Sequence, residues 1–419
     1  MPKSHDPNEN RKKLPKIVND PVHGFIEIPR GLILDVIDTP VLQRLRRIKQ
    51  MGQGYMVYPG AVHTRFNHAL GAMHLMRQAL DVLRRKKVEI SKKEYKAALI
   101  AILMHDVGHG PFSHALESVI IPGLHHEHMS LALMRYLNEQ FEGKLDLAID
   151  IFTGKYERSF LHQLVSGQLD MDRMDYLIRD SFFTGVAEGV VGIDRIIKTL
   201  NVHGDQLVCE DKGIYSLEKF IVARRLMYWQ VYLHKTAVAA EHMLVNTLRR
   251  ARELFDAGEQ IYLPENLGFF FENEIDPGNL SEEVLLRYMQ LDDNDVDFAI
   301  KQWQRSDDPI LADLAHRLMN RRLLKIRLQK DPFQPDYIQQ LRKKLVKRLE
   351  ITPEEAEYYV FSGQLKNQAY TENSEEPILV WFKAGYLMDL SEATDMPSIH
   401  ALAAPVIKHY LCAPSEVME

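Results

Sequence analysis

ILMHDVGHGPFSH, residues 102–114, decides how the rest of the chain is read. It ends an apolar run, Ala97 to Met104, that is too short to cross a bilayer and reads as a buried helix. His105 and Asp106 close that helix. Buried imidazole and carboxylate are costly unless they are hydrogen-bonded or bound to a metal. Gly108, Gly110 and Pro111 then break the helix, so that backbone can approach a ligand. His109 follows His105 by four residues, which points both rings the same way if the last turn persists, and His114 lies just past the break. Three histidines are thus expected near one carboxylate.

Two more candidate ligands stand in other helical stretches, His68 in RFNHALG (65–71) and Asp172 in QLDMDRMDYLIRD (168–180). Imidazole and carboxylate together suit a divalent iron, manganese, zinc, nickel or magnesium ion and leave positions open for water. His68, His105, Asp106 and Asp172 therefore point to a metal-dependent phosphohydrolase. In the 168–180 segment Asp172, Tyr176 and Asp180 recur every four residues and form one helical stripe, a substrate-facing surface. Asp175 and Arg179 form a second, read as an ordinary intrahelical ion pair worth about 0.3 to 0.5 kcal/mol. A third stripe, Arg224, Tyr228 and Tyr232, lies in VARRLMYWQVYLHK (222–235). Arginine can clamp phosphate oxygens and a tyrosine ring can pack on a sugar or base, so this stripe is a candidate wall of the same site. His125, His126 and His128 around Glu127 could add one acid or base.

At these residues the chain resembles a known family. The H…HD…D pattern is similar to that of the HD superfamily of metal-dependent phosphohydrolases. The longer phrases KIVNDPVHGFIEIP (16–29), DTPVLQRLRRIKQMGQGYMVYPGAVHTRFNHALG (38–71), HDVGHGPFSH (105–114), DMDRMDYLIRD (170–180) and YLHK (232–235) resemble the catalytic core of its deoxynucleoside triphosphate triphosphohydrolases. The resemblance implies that His68, His105, Asp106 and Asp172 hold the metal, and that Arg65, His109, His114 and His126 surround the triphosphate. His114 would move a proton and Glu117 would orient it. Arg173, Tyr176 and Arg224 would lie by the outer phosphates, with Arg173 standing where mammalian members have lysine. Met51 and Tyr232 would form a tight floor under the sugar, while Gln50 and Asp180 hydrogen-bond its 3′-hydroxyl. Several members assemble as tetramers around activating nucleotides, GTP or a dNTP. Lys16, Asn19, Asp38, Gln43 and Arg46 match one such nucleotide site, and Arg195, Lys212, Arg321 and Lys325 match basic positions that hold activator phosphates. Glu210 stands where the mammalian members carry a basic residue, so one activator contact is expected to be lost. A homodimer or homotetramer is the expected assembly.

The bulk properties agree. The chain has 419 residues, is 46% hydrophobic and carries a net charge of −6, which argues against broad nucleic-acid binding and leaves local basic pockets to recognise anions. Its two cysteines, Cys209 and Cys412, exclude a disulfide framework, and no long apolar segment or signal pattern appears, so a cytoplasmic protein without membrane contact is expected. The expected fold is mainly α. Residues 1–15 read as a disordered tail and 16–260 as an HD-type catalytic core that contains a lead-in hairpin at Lys16–Pro29 and another at Val202–Cys209. Residues 261–350 read as a helical extension with helix starts at Ser281, Asp292 and Pro335, and 351–419 as a small α+β lobe. That lobe is expected to hold strand-like runs at Pro377–Phe382 and Tyr386–Leu390, a loop at Ser391–Ser398 and a last segment at Ile399–Leu411. Two other readings stay open: another HD-superfamily nucleotide phosphohydrolase, acting on monoesters or diesters, and a catalytically silent nucleotide sensor or nucleic-acid-binding protein.

Overall fold

The computed structural model describes residues 14–112, 119–367, 377–396, 402 and 404–418. His114, Glu117 and the amino-terminal segment before Leu14 lie outside the described residues.

Three helices make the frame of the core. Ser91 caps the helix Lys92–Met104 reciprocally, its hydroxyl accepting from Glu94 N at 3.1 Å while the Glu94 carboxylate accepts from Ser91 N at 2.7 Å. From Ala97 to Met104 every side chain of this helix is buried, as the unbroken apolar run requires. The helix Arg65–Arg85 packs along it and also against Met171–Thr184. The latter starts at Asp170, whose side chain accepts from Arg173 N, and ends at Gly185 in the left-handed conformation that favours glycine.

Strands β1 (Lys16–Asp20) and β2 (Gly24–Ile28) form the expected lead-in hairpin, with Lys16 opposite Ile28 and Asp20 opposite Gly24. The second expected hairpin is β3 (Leu200–His203) and β4 (Gln206–Glu210). Its turn residues Gly204 and Asp205 both have positive φ, 55° and 64°, which matches the right-handed twist of the strands they join. Ser281 and Asp292 cap helices and Pro335 opens one, as their sequence implies.

Three expectations need correction. Lys325–Gln329, inside the segment read as helical, is strand β5, because Ile326 and Leu328 alternate with exposed Lys325, Arg327 and Gln329. It pairs with β9 (Val406–Ala413), whose other edge carries β6 (Phe361–Asn367), so this sheet joins the extension to the terminal lobe. The hairpin β7 (Leu379–Trp381) and β8 (Leu387–Asp389) turns where expected, but β7 runs parallel to β4 and completes a sheet ordered β3-β4-β7-β8 with the core. Finally, Leu390–Ala393, where the expected strand was to give way to a loop at Ser391, is a short helix, capped by the Asp389 carboxylate. No helix among the described residues is long and apolar enough to cross a membrane.

Candidate metal centre and adjoining cavity

The helix that leads into the HD dipeptide stops at Met104, and residues 105–108 form a turn. His105 and His109 therefore do not share a helical face as the i, i+4 spacing implied. They meet at Asp106, whose Oδ1 is 3.3 Å from His105 Nε2 and 3.4 Å from His109 Nε2. The turn is held from four sides. Ser130 Oγ donates to His105 O at 2.8 Å and accepts from Gly108 N at 2.9 Å, and the Tyr288 hydroxyl donates to Gly108 O at 2.7 Å. Arg44, fully buried, donates from Nη1 to Val107 O at 3.3 Å. Asp293 accepts from Phe112 N with one oxygen and from Lys49 N with the other. A Cβ on Gly108 would lie 2.1 Å from His126 O and 2.2 Å from Ser130 N, so only glycine permits this approach.

His68, His105 and Asp172 bring ligand atoms to within 4.8 Å of one another. His68 Nε2 lies 3.1 Å from Asp172 Oδ1 and 3.4 Å from His105 Nε2, which itself is 3.5 Å from Asp172 Oδ1. The fit of a cation is decided by the rings' other nitrogens. His68 Nδ1 donates to Asp175 Oδ2 at 2.8 Å and His105 Nδ1 donates to Ile102 O at 2.6 Å. In the neutral rings this leaves a lone pair on each Nε2, facing carboxylate oxygens that are themselves acceptors. Acceptors facing acceptors need a positive charge between them. Atoms about 2.0–2.2 Å from a shared ion stand about as far apart as these do, so the donor set fits a divalent metal. The same demand shows in the titration behaviour. Burial works against charging His68, yet hydrogen bonds to Asp172 and Asp175 push it up to about 10. Burial likewise opposes ionisation of Asp106 and Asp172, but the neighbouring imidazoles, with Arg65 for Asp106, hold both below the usual carboxylate range. Arg65 Nη1 donates to Asp106 Oδ2. Burial and the same arginine keep His109 well below its ordinary value, in the neutral form. Its ring stacks on His126, with centroids 3.8 Å apart.

Beside Arg65 opens a cavity of about 300 Å³, lined among others by Gln50, Met51, Tyr176, Asp180, Tyr228 and Tyr232. The stripe Asp172, Tyr176 and Asp180 thus runs from the metal cluster along the cavity, as its spacing predicts. Tyr228 and Tyr232 reach the same wall by a different route. Tyr228–Tyr232 is a π-helical segment, closed by Leu233 N donating to Tyr228 O at 2.7 Å, rather than a continuation of the regular helix Ile214–Met227. Asp180 accepts from the Tyr232 hydroxyl at 2.8 Å and from His63 Nε2 at 2.7 Å. The amide oxygens of Gln50 and Gln53, both on the cavity wall, are buried without a donor among the described residues.

Arg224 lies near the Tyr176 phenol, whose pKa burial and Tyr228 raise and Arg224 pulls back. Arg173 turns to Asp170, donating from Nη1 to Oδ2 at 2.7 Å. Of the positions matched to activator sites, Lys16, Asn19, Asp38 and Arg46 are exposed, and Arg46 Nε donates to Gln43 Oε1 at 2.8 Å. Arg195 Nη2 donates to Lys212 O at 3.0 Å, and Arg321 Nε to Met56 O at 2.8 Å. Lys325 begins β5, exposed. Glu210 is paired with Lys86 and Lys212, so its charge is met within the chain.

The pair Asp175–Arg179 differs most from expectation. Both side chains are fully buried, and Arg179 donates Nε to Asp175 Oδ2 at 2.8 Å and Nη2 to Oδ1 at 3.0 Å. It is the support behind His68, not a surface pair. His63, which fixes Asp180, and Ser130, which fixes the HD turn, were also missed. No spacing rule would have found them.

A helical core that gathers imidazoles and carboxylates beside a cavity walled by tyrosine and arginine has the make-up of a metal-dependent hydrolase. The family model described as HD domain matches residues 65–180, and the one described as HD associated region matches 191–261. A phosphohydrolase from Bacteroides thetaiotaomicron has a solved structure that matches with TM-score 0.92 at 48% identity, over 95% of this chain and 99% of that one. The uncharacterized protein YwfO of Bacillus subtilis is 35% identical over 316 residues, 74% of this chain and 71% of that protein. The deoxynucleoside triphosphate triphosphohydrolase SAMHD1 of Homo sapiens is 31% identical over 285 residues, 58% of this chain but only 45% of that protein. The chain belongs to the HD-domain phosphohydrolases.

Proposed function

We propose that this HD-domain phosphohydrolase removes intact inorganic triphosphate from deoxynucleoside triphosphates. The observation that carries the reading is the cavity of about 300 Å³ that adjoins the metal cluster at Arg65 and leads away past Tyr176 to Asp180, Tyr232, Met51 and Gln50. Its size falls at the lower end of the roughly 300–1,000 Å³ usual for small-molecule sites, room for a nucleoside whose phosphates point at the cluster. The unpaired amide oxygens of Gln50 and Gln53 would accept hydrogen bonds from sugar hydroxyls or base amino groups. Tyr232, tied to Asp180, and Met51 would bound the sugar closely enough to disfavour a 2′-hydroxyl. The resemblance to triphosphohydrolases that are named for this reaction supports the same assignment.

His68, His105, Asp106 and Asp172 would hold the divalent ion; manganese, iron, magnesium, zinc and nickel all suit the donors. When bound, such an ion polarises a phosphoryl oxygen and lowers the pKa of a coordinated water. Arg65 would offset charge that develops on the phosphate, with Arg173 and Arg224 further along the chain of phosphates. His109, neutral and stacked on His126, would stand beside the triphosphate as a hydrogen-bonding partner; His114, oriented by Glu117, would protonate the leaving oxygen. We further propose self-assembly into a homodimer or homotetramer, with GTP or a dNTP as activator at Lys16, Asn19, Asp38, Gln43 and Arg46, and at Arg195, Lys212, Arg321 and Lys325.

The test incubates the protein with manganese or magnesium and each dNTP, alone, in mixtures and with GTP, and follows products by chromatography. Deoxynucleoside plus triphosphate, absent in Asp106→Ala, supports the reading. Phosphate or pyrophosphate as product would replace it with another phosphohydrolase activity, and nucleotide binding without turnover would replace it with a sensor.

A further inference from the structure

The tip of the β1–β2 hairpin reaches the metal cluster from behind. Asp20, at the end of β1, accepts with Oδ1 from Val22 N at 3.0 Å and His23 N at 2.9 Å, which shapes the turn. Its other oxygen accepts from Arg179 Nη1 at 2.8 Å. The turn so formed presents His23, whose Nε2 donates to Asp175 Oδ1 at 2.6 Å. Asp175 Oδ2, in turn, is the acceptor for His68 Nδ1. The His23 and Asp175 side chains are 7% and 0% exposed, so this chain of contacts is closed to water. The outer face of the same hairpin is open, with Ile17 60% and Phe25 72% exposed.

We propose that His23 is a positioning residue of the metal centre: it locks Asp175 so that His68 presents Nε2 to the ion, and thereby makes the amino-terminal hairpin part of that centre. The inference rests on the metal reading above. Arg179 grips both Asp175 oxygens from one side and sets the plane of the carboxylate. His23 holds Oδ1 from the hairpin side, so the carboxylate cannot swing about its Cβ–Cγ bond. Without His23 the Oδ1 side is left to Arg179 alone, and the carboxylate can follow the arginine away from His68. Partners of this kind on a ligating histidine set metal affinity by about ten- to one-hundredfold.

The test measures Mn²⁺ affinity from the electron paramagnetic resonance signal of the free ion, with the full chain and no nucleotide. His23→Ala and His23→Leu, the second keeping bulk without a donor, are expected to bind Mn²⁺ about ten- to one-hundredfold more weakly. His23→Gln restores a donor of similar reach and is expected to recover most of the affinity. Phe25→Ser, on the exposed face, is expected to bind as the unaltered protein does. Unchanged affinity in His23→Leu would overturn the proposal, as would a His23→Gln as weak as His23→Leu, which would reduce the residue to packing. Failure of the unaltered protein to bind Mn²⁺ would remove the metal centre itself, a different outcome from either.

Discussion

Replacing Gly71 by alanine is expected to destabilise the protein, although alanine is the better helix former by about 1 kcal/mol. Gly71 sits one turn past His68 in the helix Arg65–Arg85. A Cβ there would lie 2.0 Å from Asp175 Oδ1 and 2.2 Å from Arg179 Nη2, where ordinary contacts begin at 3.4 Å. Either the two helices part by more than an ångström or the buried Asp175–Arg179 pair opens. Overpacking of the first kind costs about 1–3 kcal/mol, and breaking a buried ion pair about 3–5 kcal/mol. With the helix-propensity gain deducted, the net loss is about 0–2 kcal/mol if the helices part and about 2–4 kcal/mol if the ion pair opens. Gly268, in the helix Glu265–Glu272, gives the control: its nearest atoms are Leu263 Cβ at 3.6 Å and Glu272 Oε1 at 3.9 Å, so Gly268→Ala is expected to be neutral or to stabilise by up to about 1 kcal/mol. Equilibrium urea unfolding of both variants, metal-free, measures the contrast. Gly71→Ala equal to or more stable than Gly268→Ala would refute the claim that close approach at this glycine holds the network together.

Divalent metal is expected to stabilise the folded state by about 2.7 kcal/mol at a hundred times its dissociation constant; thermal unfolding with and without a chelator reads this, and the gain should vanish in Asp172→Ala. Tyr232→Phe removes the hydroxyl that donates to Asp180. It is expected to raise KM for a dNTP about tenfold, about 1.4 kcal/mol, with a smaller effect on kcat; a collapse of kcat at unchanged KM would contradict the placement of Tyr232 in the binding wall. Burial, assisted by His23 and Arg77, lowers His74 to about 4. Because the folded state binds that proton more weakly than the unfolded chain, whose histidine titrates near 6.5, stability is full above about pH 6.5 and falls as pH drops toward 4. His74→Gln is expected to flatten that limb by about 1–2 kcal/mol, read from unfolding midpoints between pH 4 and 7.

How much of this is legible in sequence depends on how local the cause is. The buried helix before His105 could be read because eight apolar residues end at a glycine and proline break, and both hairpins because glycine marks their turns. Asp172, Tyr176 and Asp180 share a face for the same reason, since their helix is regular. Strand β5 was hidden because an alternation as short as Ile326 and Leu328 also fits a helix, and only its pairing with β9, more than 75 residues later in the chain, decides the matter. The π-helical turn at Tyr228–Tyr232 was hidden because the four-residue spacing looks regular until the backbone bond is seen. Asp175 and Arg179 read only as an ordinary intrahelical ion pair because i, i+4 spacing is blind to burial. Their burial is made by Asp20 and His23, some 150 residues earlier in the chain, and by the absence of a side chain at Gly71.

The carboxylates of the centre show why that long-range contribution is needed. Asp106 gives one oxygen to Arg65 and turns the other toward His105 and His109. Asp175 likewise meets Arg179 with both oxygens while each also serves a histidine. In each case an arginine neutralises a buried carboxylate without consuming its capacity to orient an imidazole, which two oxygens and several lone pairs allow. A buried ion pair left at that would add little stability, since its desolvation offsets its attraction. Joined to His68, the same pair fixes which nitrogen carries the proton, and so which nitrogen faces the candidate metal position. The arrangement therefore spends burial on geometry at the candidate metal centre rather than on stability. It follows that variants of this network should lose metal affinity in proportion to the disorder they introduce at His68, even where overall stability is little changed.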